Sequence, residues 1–455
     1  MIQSIKKILA LPTLKSKIIF TLMVLAVCRL GAFIPVPGIN SEIAVNLFKY
    51  STGGGQNLFQ LMDMFSGGAF AHMTVIALGV MPYISASIIM QLLVALVPSL
   101  QRETKENPEA AKKKIGRWTR FGTLLLAVFQ STVYAKYALG INQTYPGIIS
   151  NELLSITVFS VPIFFYLSFV ITMSVGTILL MWLGEQITEK GIGNGVSLII
   201  TVGILSSLPS TIGAIIKQLN LSSQEPGQLS LSSLVVLCAV FILVVVGTIM
   251  VIQGQRKIPV QYARRTVGRM DQKAPTSFIP LKINYAGVIP VIFAASVLMF
   301  PATIGQFLGS SSWMGKIAGT LTPGNWIYTG IYVTFILFFT YFWTATQFHP
   351  EQIASDMKKN GAFIPGIRQG KPTQDFLEST MNRITLVGGV FLAVIAILPV
   401  IVSKLLSVDA RISHFFGGTS LLILIGVILD TAKQVESHLL MKRYDGFMKK
   451  RVSET

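Results

Sequence analysis

A chain of 455 residues in which 52% are hydrophobic and only 12% charged, with a mean hydropathy of +0.64, is not an ordinary soluble domain, where about a quarter of residues carry charge. The net charge of +18 is sorted: with the N-terminus placed in the cytoplasm, 30 of the 37 Lys and Arg fall in or beside cytoplasmic loops and tails, six at the outer side, and one, Arg29, within a span. That is the positive-inside signature of an inner-membrane protein, so the charge is mainly a device of topology.

Lys6, Lys7, Lys15 and Lys17 precede the first apolar stretch, residues 18–34. It has no small-residue cleavage motif and further spans follow, so it reads as a retained helix. Runs near 20 residues are the length a helix needs to cross hydrocarbon. Later ones fall at 74–97, 118–139, 153–183, 196–216, 232–254, 285–306, 326–347, 384–404 and 417–440, which places both termini in the cytoplasm.

Before the second span lies a stretch too short to cross by itself. Leu58, Phe59, Leu61, Met62, Met64 and Phe65 are interrupted by Gln60 and Asp63 and followed by Gly67 and Gly68. It reads as a half-inserted helix on the outer side. One role is an interfacial anchor; the other is a movable stopper, since broken structure at membrane depth survives only where protein or an aqueous cavity surrounds it.

Residues 79–86 (Gly-Val-Met-Pro-Tyr-Ile-Ser-Ala) and 287–294 (Gly-Val-Ile-Pro-Val-Ile-Phe-Ala) repeat Gly, Val, Pro, Ile and Ala at matching places. Each copy opens the second span of a group of five, and residues 217–231 form a joint between the groups. Equivalent helices then cross in opposite senses, an inverted-repeat arrangement. The expected fold is an all-α polytopic membrane protein of ten transmembrane helices in two pseudo-symmetric inverted halves. These comprise 1–217 and 232–440, joined by an external hinge loop at 218–231 and followed by a cytoplasmic tail, 441–455.

Duplication leaves both a transporter and a channel open. Val80, Ile84 and Ile88 share a helix face, and Pro82 and Pro290 remove donors near helix starts. Periodicity does not separate pore-facing from lipid-facing positions. Apart from Arg29 and Asp430 the spans hold almost no ionisable residues away from their ends, which argues against an ion-coupled carrier of a small solute. Cys28 and Cys238 sit in apolar segments, and His72, His349, His414 and His438 are scattered singly, so neither a disulfide nor a metal site is expected. The glycines of 191–195 lack the Lys-Ser/Thr ending of a nucleotide loop. No facing nucleophile and base are evident, so an intramembrane enzyme and a cofactor are not expected.

Five motifs then stand in order: residues 77–87 (ALGVMPYISAS), 183–195 (LGEQITEKGIGNG), 284–290 (NYAGVIP), 361–368 (GAFIPGIR) and 416–423 (FGGTSLLI). Each occupies a matching topological place, and together the chain resembles the SecY family of bacterial protein-conducting channels over essentially its whole length. The resemblance implies two halves around an hourglass pore whose apolar waist falls on Val80, Ile84, Val196, Ile200, Ile292 and Ile423. Such a ring offers no partner to water or ions and seals by dewetting, while accepting any polypeptide. Residues 58–70 match the family's plug. Unfolded secretory chains would pass the pore, and signal sequences and transmembrane segments would leave sideways into lipid between spans two and three on one half and seven and eight on the other.

The long basic loops, 255–284 and 348–383, have two readings. Arg256, Lys257, Arg264, Arg265 and Arg269 in one, with Lys358, Lys359 and Arg368 in the other, serve orientation or anionic lipid, or they dock a partner. The resemblance implies the ribosome, through rRNA phosphates, or the motor ATPase SecA, with Arg368 the strongest single candidate. It also implies small SecE-like and SecG-like membrane subunits.

Overall fold

A computed structural model of the chain describes residues 12–51, 58–155, 162–218, 231–262, 276–308, 319–321, 325–406 and 418–453. The membrane body is helical, as it must be where the backbone has no water to bond. Among the described residues six helices are long and apolar enough to cross: Pro108–Gln143, Ile163–Lys190, Gly195–Gly213, Ser232–Gln253, Trp326–Lys359 and Lys371–Val402. A seventh is formed if the bent pair Met81–Leu96 and Pro98–Thr104 counts as one. The protein is thus a polytopic membrane protein. The other expected spans meet helices Pro12–Gly31, Ile289–Leu308 and Thr419–Ser453, which are shorter in their apolar part or carry more charge.

Proline punctuates the helices. Pro82, Pro98, Pro108 and Pro350 each stand in the first two helical positions, where a missing N–H costs nothing. Val97, ahead of Pro98, is held extended (φ −94°, ψ 109°), and the chain turns there by 96°. The second apolar stretch runs from residue 74, but its helix begins only at Met81. Residues 67–80 form turns, with Met73 (φ 48°) and Gly79 (φ 58°) in the left-handed region. This irregular backbone survives because protein covers it. Ala69, Phe70, Ala77 and Leu78 are buried, Thr74 Oγ1 donates to Ala69 O at 3.2 Å, and Tyr134 O–H donates to Phe70 O with the two rings stacked at 4.2 Å. The absence of a side chain at Gly176 lets helix Ile163–Lys190 pass against the Val75 carbonyl.

To this all-α body the chain adds one small sheet that was not expected from the sequence. Strands β1 (Gln255–Tyr262), β2 (Thr276–Lys282) and β3 (Ala362–Phe363) form an antiparallel sheet in the order β2-β1-β3. Alternation in β1 sends Ile258 and Val260 inward and leaves Arg256 and Lys257 exposed. With Leu281, Phe348, Met357, Ile364, Leu377 and Met381 they make a second, smaller apolar core. The two basic loops are therefore one folded platform. The expected hinge, apart from its end residues, lies outside the described residues.

Candidate functional site

Helices from both expected halves converge on one apolar cluster. Val80, Ile84, Ile200, Ile292 and Ile423 are buried members of it, and Val196, half-buried, packs against it. Val80 is the N-cap residue of Met81–Leu96, whose first bond is Ile84 N–H to Val80 O at 3.0 Å; Ile292 N–H bonds Val288 O in the same way at 3.4 Å. Met81–Leu96 packs against Ile289–Leu308, which also meets Pro108–Thr144. Gly195–Ser206 packs against Thr419–Ser453. A side chain at Gly426 would strike Val288 Cγ1 at 2.5 Å, so glycine sets the approach of the last helix to the start of Ile289–Leu308. Part of Val196 faces sideways, its Cγ2 lying against Gly184.

Leu58, Phe59 and Leu61 lie in helix Leu58–Ser66, which is shorter than the sequence implied and ends in turns through Gly67 (φ 69°) and Gly68 (φ 89°). Met62 and Phe65 are buried in the same cluster as the expected waist residues, whereas Asp63 and Met64 are half-buried. This helix touches three of the converging elements. A Cβ at Gly203 would meet Phe65 O at 2.8 Å, Ser206 Oγ donates to Gly67 O at 3.2 Å, and Ser420 Oγ lies 3.0 Å from Met64 Sδ. A Cβ at Gly79 would stand 3.9 Å from Ser66. Its trailing turn is tied by Asp63 Oδ1, which accepts from Ala71 N–H at 2.7 Å, and by Ser66 Oγ, which accepts from Phe70 N–H at 3.0 Å.

Arg256, Lys257, Lys358, Lys359 and Arg368 are all exposed on the platform. Lys358 and Lys359 close helix Pro350–Lys359, where cations suit the negative end of the helix dipole. Arg368 O accepts from Thr373 Oγ1 at 2.7 Å, which fixes the backbone of the turn from which its side chain projects. Arg264, Arg265 and Arg269 lie outside the described residues.

Sequence reasoning missed a clasp at the glycine-rich loop 191–195. Ile192 N–H donates to Thr21 Oγ1 at 3.1 Å, and Gly193 N–H donates to Gln434 Oε1 at 2.9 Å. Gly193 is in the left-handed region (φ 87°), and Gly195 packs against the Gly184 carbonyl, where any Cβ would collide. The glycines were visible as a motif, but their partners are distant in sequence. Among the described residues no group of three or more His, Cys, Asp or Glu is placed to hold a metal ion.

A family model, SecY, matches residues 74–432, most of the chain. The chain belongs to the SecY family. Protein translocase subunit SecY of Chlamydia muridarum is 60% identical over 98% of both chains, and that of Chlamydia trachomatis serovar D is 60% identical over the same shares. The SecY fold extends to solved structures. One, of a protein conducting channel, is 20% identical with a TM-score of 0.60, covering 92% of this chain and 91% of that one. Another concerns the plug domain of a SecY protein, said to stabilise the closed state of the translocation channel and maintain a membrane seal (18% identical, TM-score 0.57, 92% and 91% covered). A third is Sec61 in a canine ribosome-channel complex from the endoplasmic reticulum (16% identical, TM-score 0.58, 92% and 91% covered).

Proposed function

We propose that this SecY-family channel conducts unfolded secretory polypeptides across the bacterial cytoplasmic membrane and releases transmembrane segments sideways into lipid. The observation that carries the reading is the packing of helix Leu58–Ser66 against Gly195–Ser206 and against Ser420, on the two helices that bear Ile200 and Ile423, within the apolar core that also holds Ile84 and Ile292. Val80, Ile84, Val196, Ile200, Ile292 and Ile423 act as the constriction, and Leu58–Ser66 with Gly67 and Gly68 acts as the plug above it. Branched apolar side chains cannot replace the hydration of an ion, so the narrowed channel dewets, yet they bind no particular sequence. The channel performs no chemistry on its substrate.

The architecture proposed is ten spans in two inverted halves, residues 1–217 and 232–440, with the hinge at 218–231 and both termini cytoplasmic. Two observations support the repeat. Gly79 and Gly287 share a backbone conformation (φ 58° and 59°), and each is followed, two residues on, by a helix with proline in its second position. The lateral gate is the contact of Met81–Leu96 and Pro108–Thr144 with Ile289–Leu308, the last of which packs in turn on Trp326–Gln347. When it parts, an apolar segment gains roughly 25 cal/mol per Å² of apolar surface leaving water, and partitioning decides its fate.

The exposed cations of the platform dock the ribosome, through rRNA phosphates, and the motor ATPase SecA, while SecE-like and SecG-like subunits brace the channel from the lipid side. The test is reconstitution with SecE-like and SecA-like partners, followed by protease protection of a secretory precursor. Protection that requires ATP and the channel supports the reading; uptake of a small solute driven by an ion gradient, with no protected precursor, would favour a secondary transporter.

A further inference from the structure

We propose that Arg29, a basic residue inside the first expected span and away from its ends, is the latch that keeps the plug seated. The proposal rests on reading Leu58–Ser66 as the plug. A guanidinium at membrane depth is costly and persists where it has work to do. Arg29 closes helix Pro12–Gly31, is half-buried, and places its guanidinium over the Phe33 ring at 5.5 Å from the centroid. Phe33 so braces a head group that would otherwise sweep a wide volume.

What this braced group touches is the end of the plug. A Cβ added to Gly67 would stand 2.7 Å from Arg29 Nη1, 2.7 Å from Gly203 Cα and 2.7 Å from Ser206 Oγ. Three elements thus converge where only a hydrogen atom fits: the turn that ends the plug, helix Gly195–Ser206, and the first helix. The positive φ of Gly67 also requires glycine there. Charge favours the same seating, because Asp63 acts electrostatically on the Arg29 guanidinium and the C-terminal end of Leu58–Ser66 carries the negative end of its dipole. Arg29, Phe65, Ser66, Gly79, Val80 and Gly203 all line one cavity of about 30 Å³, so the latch stands in the wall that plug and waist share. A polypeptide that pushes Gly195–Ser206 away from the first helix breaks the Gly67 contact and the plug is released.

The test uses the full chain, purified with the membrane subunits it carries and reconstituted, with Cys28 and Cys238 replaced by Ala. Cysteines at Met64 and Ser420, whose side chains meet at 3.0 Å, report plug seating by their rate of disulfide formation. Ion flux through the idle channel, measured with both cysteines reduced, reports the seal. Arg29→Leu suits a membrane span better than Arg and so preserves insertion. Its expected effect is a fall in crosslinking of about tenfold, equivalent to about 1.4 kcal/mol, with a rise in idle flux. Arg29→Lys keeps the charge but loses the planar fork and its stacking, and is expected to fall between. Crosslinking at the parent rate in both variants overturns the latch, whatever the flux does. Slowed crosslinking with unchanged flux upholds the latch and instead overturns the reading of Leu58–Ser66 as a seal. If Arg29→Leu fails to insert, Arg29→Lys decides by the same criterion.

Discussion

The two copies of the Gly-Val-x-Pro turn, at residues 79–82 and 287–290, share a left-handed glycine and a helix-starting bond but have different neighbours. Gly79 and Gly287 differ by one degree in φ, and in both copies the valine carbonyl accepts the bond that starts the helix ladder. Around the first copy, a Cβ at Gly79 would make ordinary contact with Ser66 at the end of Leu58–Ser66, at 3.9 Å, and the preceding residues are buried turns. Around the second, a Cβ at Gly287 would meet nothing within 4 Å, and the strand β2 of the basic platform precedes it. Buried Asn284 supports this copy from within, its Nδ2 donating to Gly287 O at 2.7 Å. The comparison teaches that a repeated local geometry builds the two faces of the proposed constriction, while the segment leading into each copy decides its role. One leads from the proposed plug and the other from the proposed docking surface.

The sharpest way to break this comparison is to fill the space the first copy depends on. Gly203→Leu should drive a side chain into the Phe65 carbonyl, unseat Leu58–Ser66 and raise ion flux through the idle channel by roughly tenfold or more, while sealing is expected to persist in Gly213→Leu on the adjoining helix, where a Cβ meets nothing within 4 Å. Planar-bilayer conductance of the two variants distinguishes them. Next in size is the waist. Replacing Ile84 and Ile292 together by Ser should increase leakage several-fold because dewetting weakens, roughly half of the double effect appearing in each single variant if the copies are equivalent.

A smaller effect separates the turns themselves. Any side chain at φ near 60° costs about 1–2 kcal/mol, so Gly79→Val and Gly287→Val should lower thermal stability alike. Only Gly79→Val, reaching toward Ser66, should also raise idle flux. Equal flux in the two would end the claim that their surroundings differ in function. The smallest effect on the channel itself belongs to the platform. Arg368→Glu should leave topology intact, since Lys358, Lys359 and Lys371 still mark the loop as cytoplasmic. It should slow motor-driven export, because an interfacial charge that loses its partner costs roughly 2 to 5 kcal/mol. Reversal of Arg256 and Lys257 should weaken ribosome binding with the salt dependence of phosphate contacts. Normal export and ribosome affinity in correctly inserted variants would mean these charges serve orientation alone.

Hydropathy made most of the helices legible, because length and apolarity are what a membrane demands of a span. The same property hid the turn before Met81: residues 74–97 are continuously apolar, and a hydropathy run is blind to backbone conformation. Gly79 and Pro82 were visible there as a repeat, and Pro82 as lying near a helix start, yet the apolar run still places the start of the span at residue 74. Leu58–Ser66 was legible because Gln60 and Asp63 interrupt an apolar run too short to cross. The sheet was not, although Ile258 and Val260 alternate with Lys257 and Pro259, because strongly basic loops read as solvated coil. Contacts such as Gly203 with Phe65, or Gly193 with Gln434, join residues far apart in sequence, and a single glycine in an apolar helix does not announce what will press against it.

The central claim is that Ile84, Ile200, Ile292 and Ile423 line the path of the polypeptide. It is tested most directly with a secretory precursor stalled in transit and carrying one cysteine at the depth of the constriction. Cysteines are placed in turn at those four positions and, as controls on the same helices, at the exposed positions Ile89, Leu205 and Ile428. Disulfides to all four waist positions and to none of the controls are predicted. Crosslinks that favour Ile89, Leu205 and Ile428 would put the polypeptide on the outer faces of these helices and contradict the account.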